Sequence, residues 1–141
     1  MSKKLMKTLS IFFVFLTLAA FLTGCSSNKL SDDYEEEEVK AKAEEVIALA
    51  NAKDYEAITA LVPEDLQAMV SAKDLEAAWD EKLTACGEFS KFSKEIILGQ
   101  TVKETGEDLA VAVIVADYEN DKAQFTLSFN KDLALVGYYM K

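Results

Sequence analysis

Asp117 and Tyr138 are the two side chains whose types and expected placement could do chemistry. A carboxylate can take up a proton as a general base, and a phenol can donate a hydrogen bond to a developing oxyanion. The rest of the reactive inventory is thin. The 141 residues contain no His and no Arg, so the usual proton shuttle of neutral pH and the planar fork that grips carboxylates and phosphates are both missing. Any reaction falls to carboxylate, Tyr or Lys groups. Of the two cysteines, Cys86 lies in an apolar helical pattern, where a small buried filler fits better than a nucleophile with no His to activate it. No metal site is expected without His or paired Cys spacing, and five scattered glycines make no phosphate loop, so no cofactor is expected either.

The elements that must hold these residues divide at Gly87. Before it, Val39, Ala43, Val46, Ile47 and Ala50 recur at three and four residues, which predicts an amphipathic helix starting near Glu35. Glu36 with Lys40 and Glu38 with Lys42 are spaced as i,i+4 pairs on it. Asp54 suits the N-cap of a short second helix, and Pro63 the first turn of a third, to about Val70. Ser71-Ala72-Lys73-Asp74 has the form of a capping box with Asp in place of Glu, opening a helix with Leu75, Ala78, Trp79 and Leu83 inward. After Gly87 the period becomes two. Ile96, Leu98 and Val102, then the apolar run Leu109 to Ala116, then Phe125, Leu127 and Phe129 are separated by turn signals at 105–107, 120–121 and 130–132. Helices first and four strands afterwards predict an α+β domain, with short amphipathic helices packed on a curved antiparallel meander.

Strand register decides which residues can meet. With Asn120-Asp121 as a two-residue turn, Tyr118 opposes Ala123, and Ala116, Tyr118 and Phe125 share the helix-facing side. If Phe129 opposes Leu135, Tyr139 opposes Phe125 and completes an aromatic group of Tyr118, Phe125 and Tyr139. Such a group could cradle an apolar ligand, and it is equally what the core of an α+β domain needs. The same register sends Asp117, Gln124, Thr126, Ser128 and Tyr138 to the opposite face. A wet outer face accounts for them without chemistry.

Ahead of this domain, Lys3, Lys4 and Lys7 precede an apolar stretch from about Leu9 to Leu22, too short for a permanent span and followed by small residues. Leu22-Thr23-Gly24-Cys25 resembles the lipobox of bacterial lipoproteins. That resemblance implies a signal peptide over 1–24, a diacylglyceryl group on Cys25, a tether over 25–34 and a domain over 35–141 at the extracytoplasmic face of the membrane. Cleavage would remove three Lys and no acid, taking the formal charge from −10 to −13 on 117 residues. Nucleic acid is a poor partner for so acidic a chain.

A second resemblance rests on Lys53-Asp54-Tyr55-Glu56-Ala57, Leu75-Glu76-Ala77-Ala78-Trp79 and Cys86-Gly87-Glu88-Phe89, followed by the strand meander. These resemble an uncharacterised family of short domains with the nuclear-transport-factor-2-like fold, found in secreted and lipid-anchored Gram-positive proteins. The family often has Gly where this chain has Leu133, at the last hairpin turn. The resemblance implies a cone-shaped domain. The expected function is a surface-anchored, non-catalytic binding or interaction domain for an envelope protein or a small apolar ligand. The alternatives are an isomerase-like proton-transfer enzyme using Asp117 and Tyr138, and an accessory subunit of an envelope enzyme.

Overall fold

The computed structural model describes residues 29–141. The leader and Cys25 lie outside the described residues. Four helices come first: α1 (Glu36–Asn51), α2 (Tyr55–Ala60), α3 (Glu64–Gln67) and α4 (Ala72–Cys86). Four strands follow: β1 (Phe89–Thr101), β2 (Asp108–Tyr118), β3 (Lys122–Phe129) and β4 (Leu135–Met140). They form one antiparallel sheet in the order β1-β2-β3-β4, with β1 and β4 at its edges. The molecule is thus α+β, with helices preceding a four-stranded meander.

Local chemistry accounts for the helix ends. Three glutamates occupy the first turn of α1, where the helix dipole favours negative charge. Asp54 accepts the Ala57 N–H at 3.2 Å to start α2, and Ser71 accepts the Asp74 N–H at 3.0 Å to start α4. Pro63 stands just before α3 rather than inside its first turn, and that helix ends at Gln67. The lysines of α1 do not pair with Glu36 and Glu38. Lys40 reaches across to Glu95 of β1 at 2.9 Å, and Lys42 turns to Glu45 at 3.0 Å.

The inner sheet face meets the helices. Ala110, Ala112, Ala116 and Ala123 are fully buried there, and such small side chains let α1 come close to the strands. Phe125 and Trp79 fill the wider space under α4, edge to face with centroids 5.5 Å apart. Gly87 ends α4 at φ 84° and ψ −152°, a conformation nearly restricted to glycine. A Cβ there would also lie 2.9 Å from the Asn120 side chain.

Two register expectations are corrected. The β2–β3 tip lies at Glu119 and Asn120, one residue early, because their N–H groups donate to the Glu88 and Cys86 carbonyls at 2.8 Å each. That slip moves the pairing by two residues, so Asp117 opposes Lys122 and every side chain keeps its expected face. The second correction changes faces. Phe129 opposes Leu135 as expected, but Ser128 opposes Gly137, leaving Val136 as an extra residue. The Leu135 N–H is drawn to the Leu61 carbonyl in the helical layer at 2.9 Å, and Leu133 takes a left-handed φ of 56° in the preceding turn. Beyond the bulge Tyr138 opposes Leu127 on the inner face, and Tyr139 opposes Thr126 on the outer one.

The expected tether is also shortened. Tyr34 is buried, with its hydroxyl 2.7 Å from the Asp108 carbonyl and 3.3 Å from that of Phe129. Asp33 pairs with Lys131 at 2.9 Å, and the Lys29 backbone crosses β1 so closely that a Cβ on Gly99 would sit 2.3 Å from its carbonyl oxygen. Residues 29–34 therefore belong to the packed domain.

Candidate functional site

Tyr118 ends β2 on the inner face, beside the C-terminus of α1 and the turn after α4. Together with Asn51, Lys53, Leu83, Gly87, Glu88 and Phe89 it lines an open cleft of about 250 Å³. Its hydroxyl donates to Asn51 Oδ1 at 2.6 Å, and burial pushes the phenol up to about 12. Phe89 stands over it at a centroid distance of 5.8 Å, is 39 % exposed at the mouth, and contacts Phe92 at 4.9 Å. Lys53 adopts a left-handed φ of 60° and is anchored by Asp80 at 2.8 Å and the Thr84 hydroxyl at 2.9 Å. The cleft thus offers aromatic walls, one amide, one cation and the Glu88 carboxylate. Phe89 was legible only as part of a motif; its place opposite Tyr118 follows from the start of the β1–β2 ladder.

The aromatic group expected from register is only partly assembled. Phe125 is fully buried beneath Trp79 and takes no part in the cleft. Tyr139 is on the outer face, whereas Tyr138 packs against Trp79 at 5.7 Å on the inner one. Burial holds the Tyr138 phenol above its usual range. Cys86 is a buried free thiol.

Asp117 and Tyr138 are separated by the sheet, so the paired acid–base role drawn for them is corrected. Asp117 accepts the Ser93 hydroxyl at 2.7 Å and pairs with Lys122 at 3.2 Å. Those partners, the hydroxyl first, hold its carboxyl below the ordinary range, opposite to what a general base near neutral pH needs. Its side chain is 18 % exposed on the outer face, not enclosed in a pocket.

A cluster that sequence spacing did not point to lies between α1 and β1. Glu95 faces the helices, binds Lys40 through Oε2 and leaves Oε1 buried without a hydrogen-bond partner. The Lys40 ammonium lowers the Glu95 carboxyl, while Glu95, as an acceptor for the protonated form, and burial raise that of Glu44. Glu44 therefore keeps its proton to higher pH than an isolated Glu would, beside a Glu95 that stays ionised. Among the described residues no group of three or more His, Cys, Asp or Glu is placed to hold a metal ion, and no helix is long and apolar enough to cross a membrane.

The fold and cleft define a class of small α+β domain, helices first and a four-stranded antiparallel sheet after. Over residues 43–138 the chain matches the family described as a protein of unknown function, DUF3887, and it belongs to that family. It is similar to a protein from Ruminococcus gnavus ATCC 29149 whose structure was solved by NMR. The two are 29 % identical with a TM-score of 0.70, over 80 % of this chain and 96 % of that one. No curated protein matches the chain.

Proposed function

We propose that this is a lipid-anchored, extracytoplasmic interaction domain of the nuclear-transport-factor-2-like type, held by Cys25 and acting without catalysis. The observation that carries the reading is where space is left. Between helices and sheet, Phe125, Phe129, Ile47, Ile58, Leu75, Ile114, Leu127 and Leu135 are fully buried and fill the interior that a ligand-carrying cone would keep open. An open aromatic concavity remains at the cleft, where the exposed Phe89 ring stands over the largely buried Tyr118. At about 250 Å³ it falls below the roughly 300–1,000 Å³ of small-molecule sites. It suits one apolar or aromatic side chain of an envelope protein, the kind of anchor that dominates protein interfaces.

Two measurements test this. The full chain isolated from cells should carry a diacylglyceryl mass on Cys25, and Cys25→Ala should release the domain into the medium. A photo-crosslinking residue at Phe89 should give one dominant protein adduct on intact cells, and the same residue at the helix position Lys42 should not. Equal labelling from both positions defeats the cleft as the recognition site.

A further inference from the structure

Charge is distributed unevenly between the two sides of the sheet. Cross-strand pairing places Lys91, Asp117 and Lys122 in one outer row, and Lys94, Val115 and Gln124 in the next, with Lys141 in register beside Gln124. Ile96, Val113, Thr126 and Tyr139 follow, then Leu98, Val111, Ser128 and Gly137. Of the 25 Asp and Glu side chains, Asp117 alone occupies an outward strand position, and it is already paired with Lys122. The neighbouring tip acids turn the other way: Asp121 faces Lys82 of α4 at 4.0 Å, and Glu119 packs at Gly87. Among the described residues Lys91 and Lys94 have no carboxylate within salt-bridge distance. The outer face of a strongly acidic chain is therefore basic at one end and uncharged across its middle, where Ile96 is 38 % exposed while Val111 and Ser128 are buried.

We propose that this outer sheet face rests on a bilayer surface bearing anionic headgroups. Lysines next to an anionic leaflet gain from its surface potential, and their aliphatic stems, with Ile96 and Tyr139, suit the boundary between headgroups and water. Chain length would keep the domain next to a bilayer. Three residues lie between Cys25 and Lys29, whose carbonyl packs on the helix-facing side of Gly99 in the edge strand β1, so an acylated Cys25 would lie within about 14 Å of that edge, at the end of the sheet away from Lys91 and Lys94. This distance argument rests on the lipid-anchor reading. The orientation leaves the acidic helices and the Tyr118 cleft facing away from the membrane.

The test uses the chain from residue 25 with Cys25→Ser, which retains the whole packed domain and cannot be acylated. It should sediment with vesicles of equal phosphatidylglycerol and phosphatidylcholine at 50 mM salt, and not with phosphatidylcholine alone. At 500 mM salt the binding should be lost. Lys91→Gln with Lys94→Gln and Lys122→Gln should weaken it at least tenfold, while Lys42→Gln with Lys73→Gln on the helical side leaves it within twofold. Circular dichroism confirms that each variant is folded; if the triple variant is not, Lys91→Gln with Lys94→Gln, which breaks no ion pair, should still weaken binding at least threefold. Unchanged binding in the folded variants overturns the proposal, as does no binding to the anionic vesicles at low salt. If sedimentation velocity without lipid shows a dimer that the same variants dissociate, the face serves a second copy and the proposal also falls. An unmodified Cys25 in the full chain would overturn the anchor reading while leaving the vesicle result intact.

Discussion

The two faces of one sheet are built from alternate residues of the same strands, yet they solve different problems. On the inner side Ile114, Phe125 and Leu127 are fully buried and their partners are hydrocarbon. On the outer side Val113, Thr126 and Ile96 occupy neighbouring positions and stay partly open, with lysines at one end of the rows. Packing constrains the first face through shape. The second is constrained by what it must not carry, and acids are nearly absent from it. Stability and recognition can therefore be altered separately, by choosing the parity of the residue that is changed.

The largest effect should come from crossing that boundary. Phe125→Ala removes a buried ring from beneath Trp79 and should cost about 3–5 kcal/mol in denaturant unfolding, whereas its outward neighbour Thr126→Ala should stay within about 0.5 kcal/mol. Comparable losses at the two sites would erase the distinction between the faces.

Tyr118 sharpens the contrast at the cleft. Replacement by Phe loses the hydrogen bond to Asn51 and should destabilise by about 0.5–1.5 kcal/mol near neutral pH. The folded chain keeps the Tyr118 proton to higher pH than the unfolded chain does. Its contribution is therefore complete below about pH 10, the ordinary phenol value, and is lost as pH rises toward about 12. The Phe variant should lack that part of the alkaline decline, and identical decline in both proteins counts against the assignment.

The smallest effect probes the carboxyl pair between α1 and β1. The Glu44 carboxyl is raised in the fold, so its favourable contribution is present below the ordinary Glu range and disappears as pH rises through the raised value. Glu95, lowered chiefly by Lys40, has the opposite dependence, losing its contribution as pH falls. Glu44→Gln places an amide donor beside the Glu95 carboxylate at every pH. It should gain about 0.3–1 kcal/mol at pH 7, limited by solvent screening, with the gain vanishing below about pH 4. A loss of stability at pH 7 would show that Glu44 does not face the ionised Glu95 carboxylate.

Much of this arrangement was legible because period carries parity. The helical stripe of α1, the capping side chains Asp54 and Ser71, and the faces of β2 and β3 all follow from residue type and spacing. The β2–β3 tip was misplaced by one residue without consequence, since that slip preserves parity. The bulge at Val136 was not legible. It has no side-chain signature and arises where a backbone N–H at Leu135 finds a carbonyl at Leu61, a contact between distant parts of the chain. That single residue exchanged Tyr138 and Tyr139 and separated Asp117 from its expected partner. The docked segment at 29–34 escaped for the same reason, because Tyr34 looks like any polar-flanked aromatic until the ends of β2 and β3 come within its reach.

Tyr34 also determines how the domain would carry a mechanical load. A pull on the chain N-terminal to it meets first the Lys29 backbone packed on Gly99 of β1, and then divides between the Tyr34 hydroxyl, which holds the backbone ends of β2 and β3, and the Asp33 pair with Lys131 in the turn that follows β3. Drag on the domain would thus be spread over β1, β2 and β3 at one end of the sheet, away from the cleft at the other.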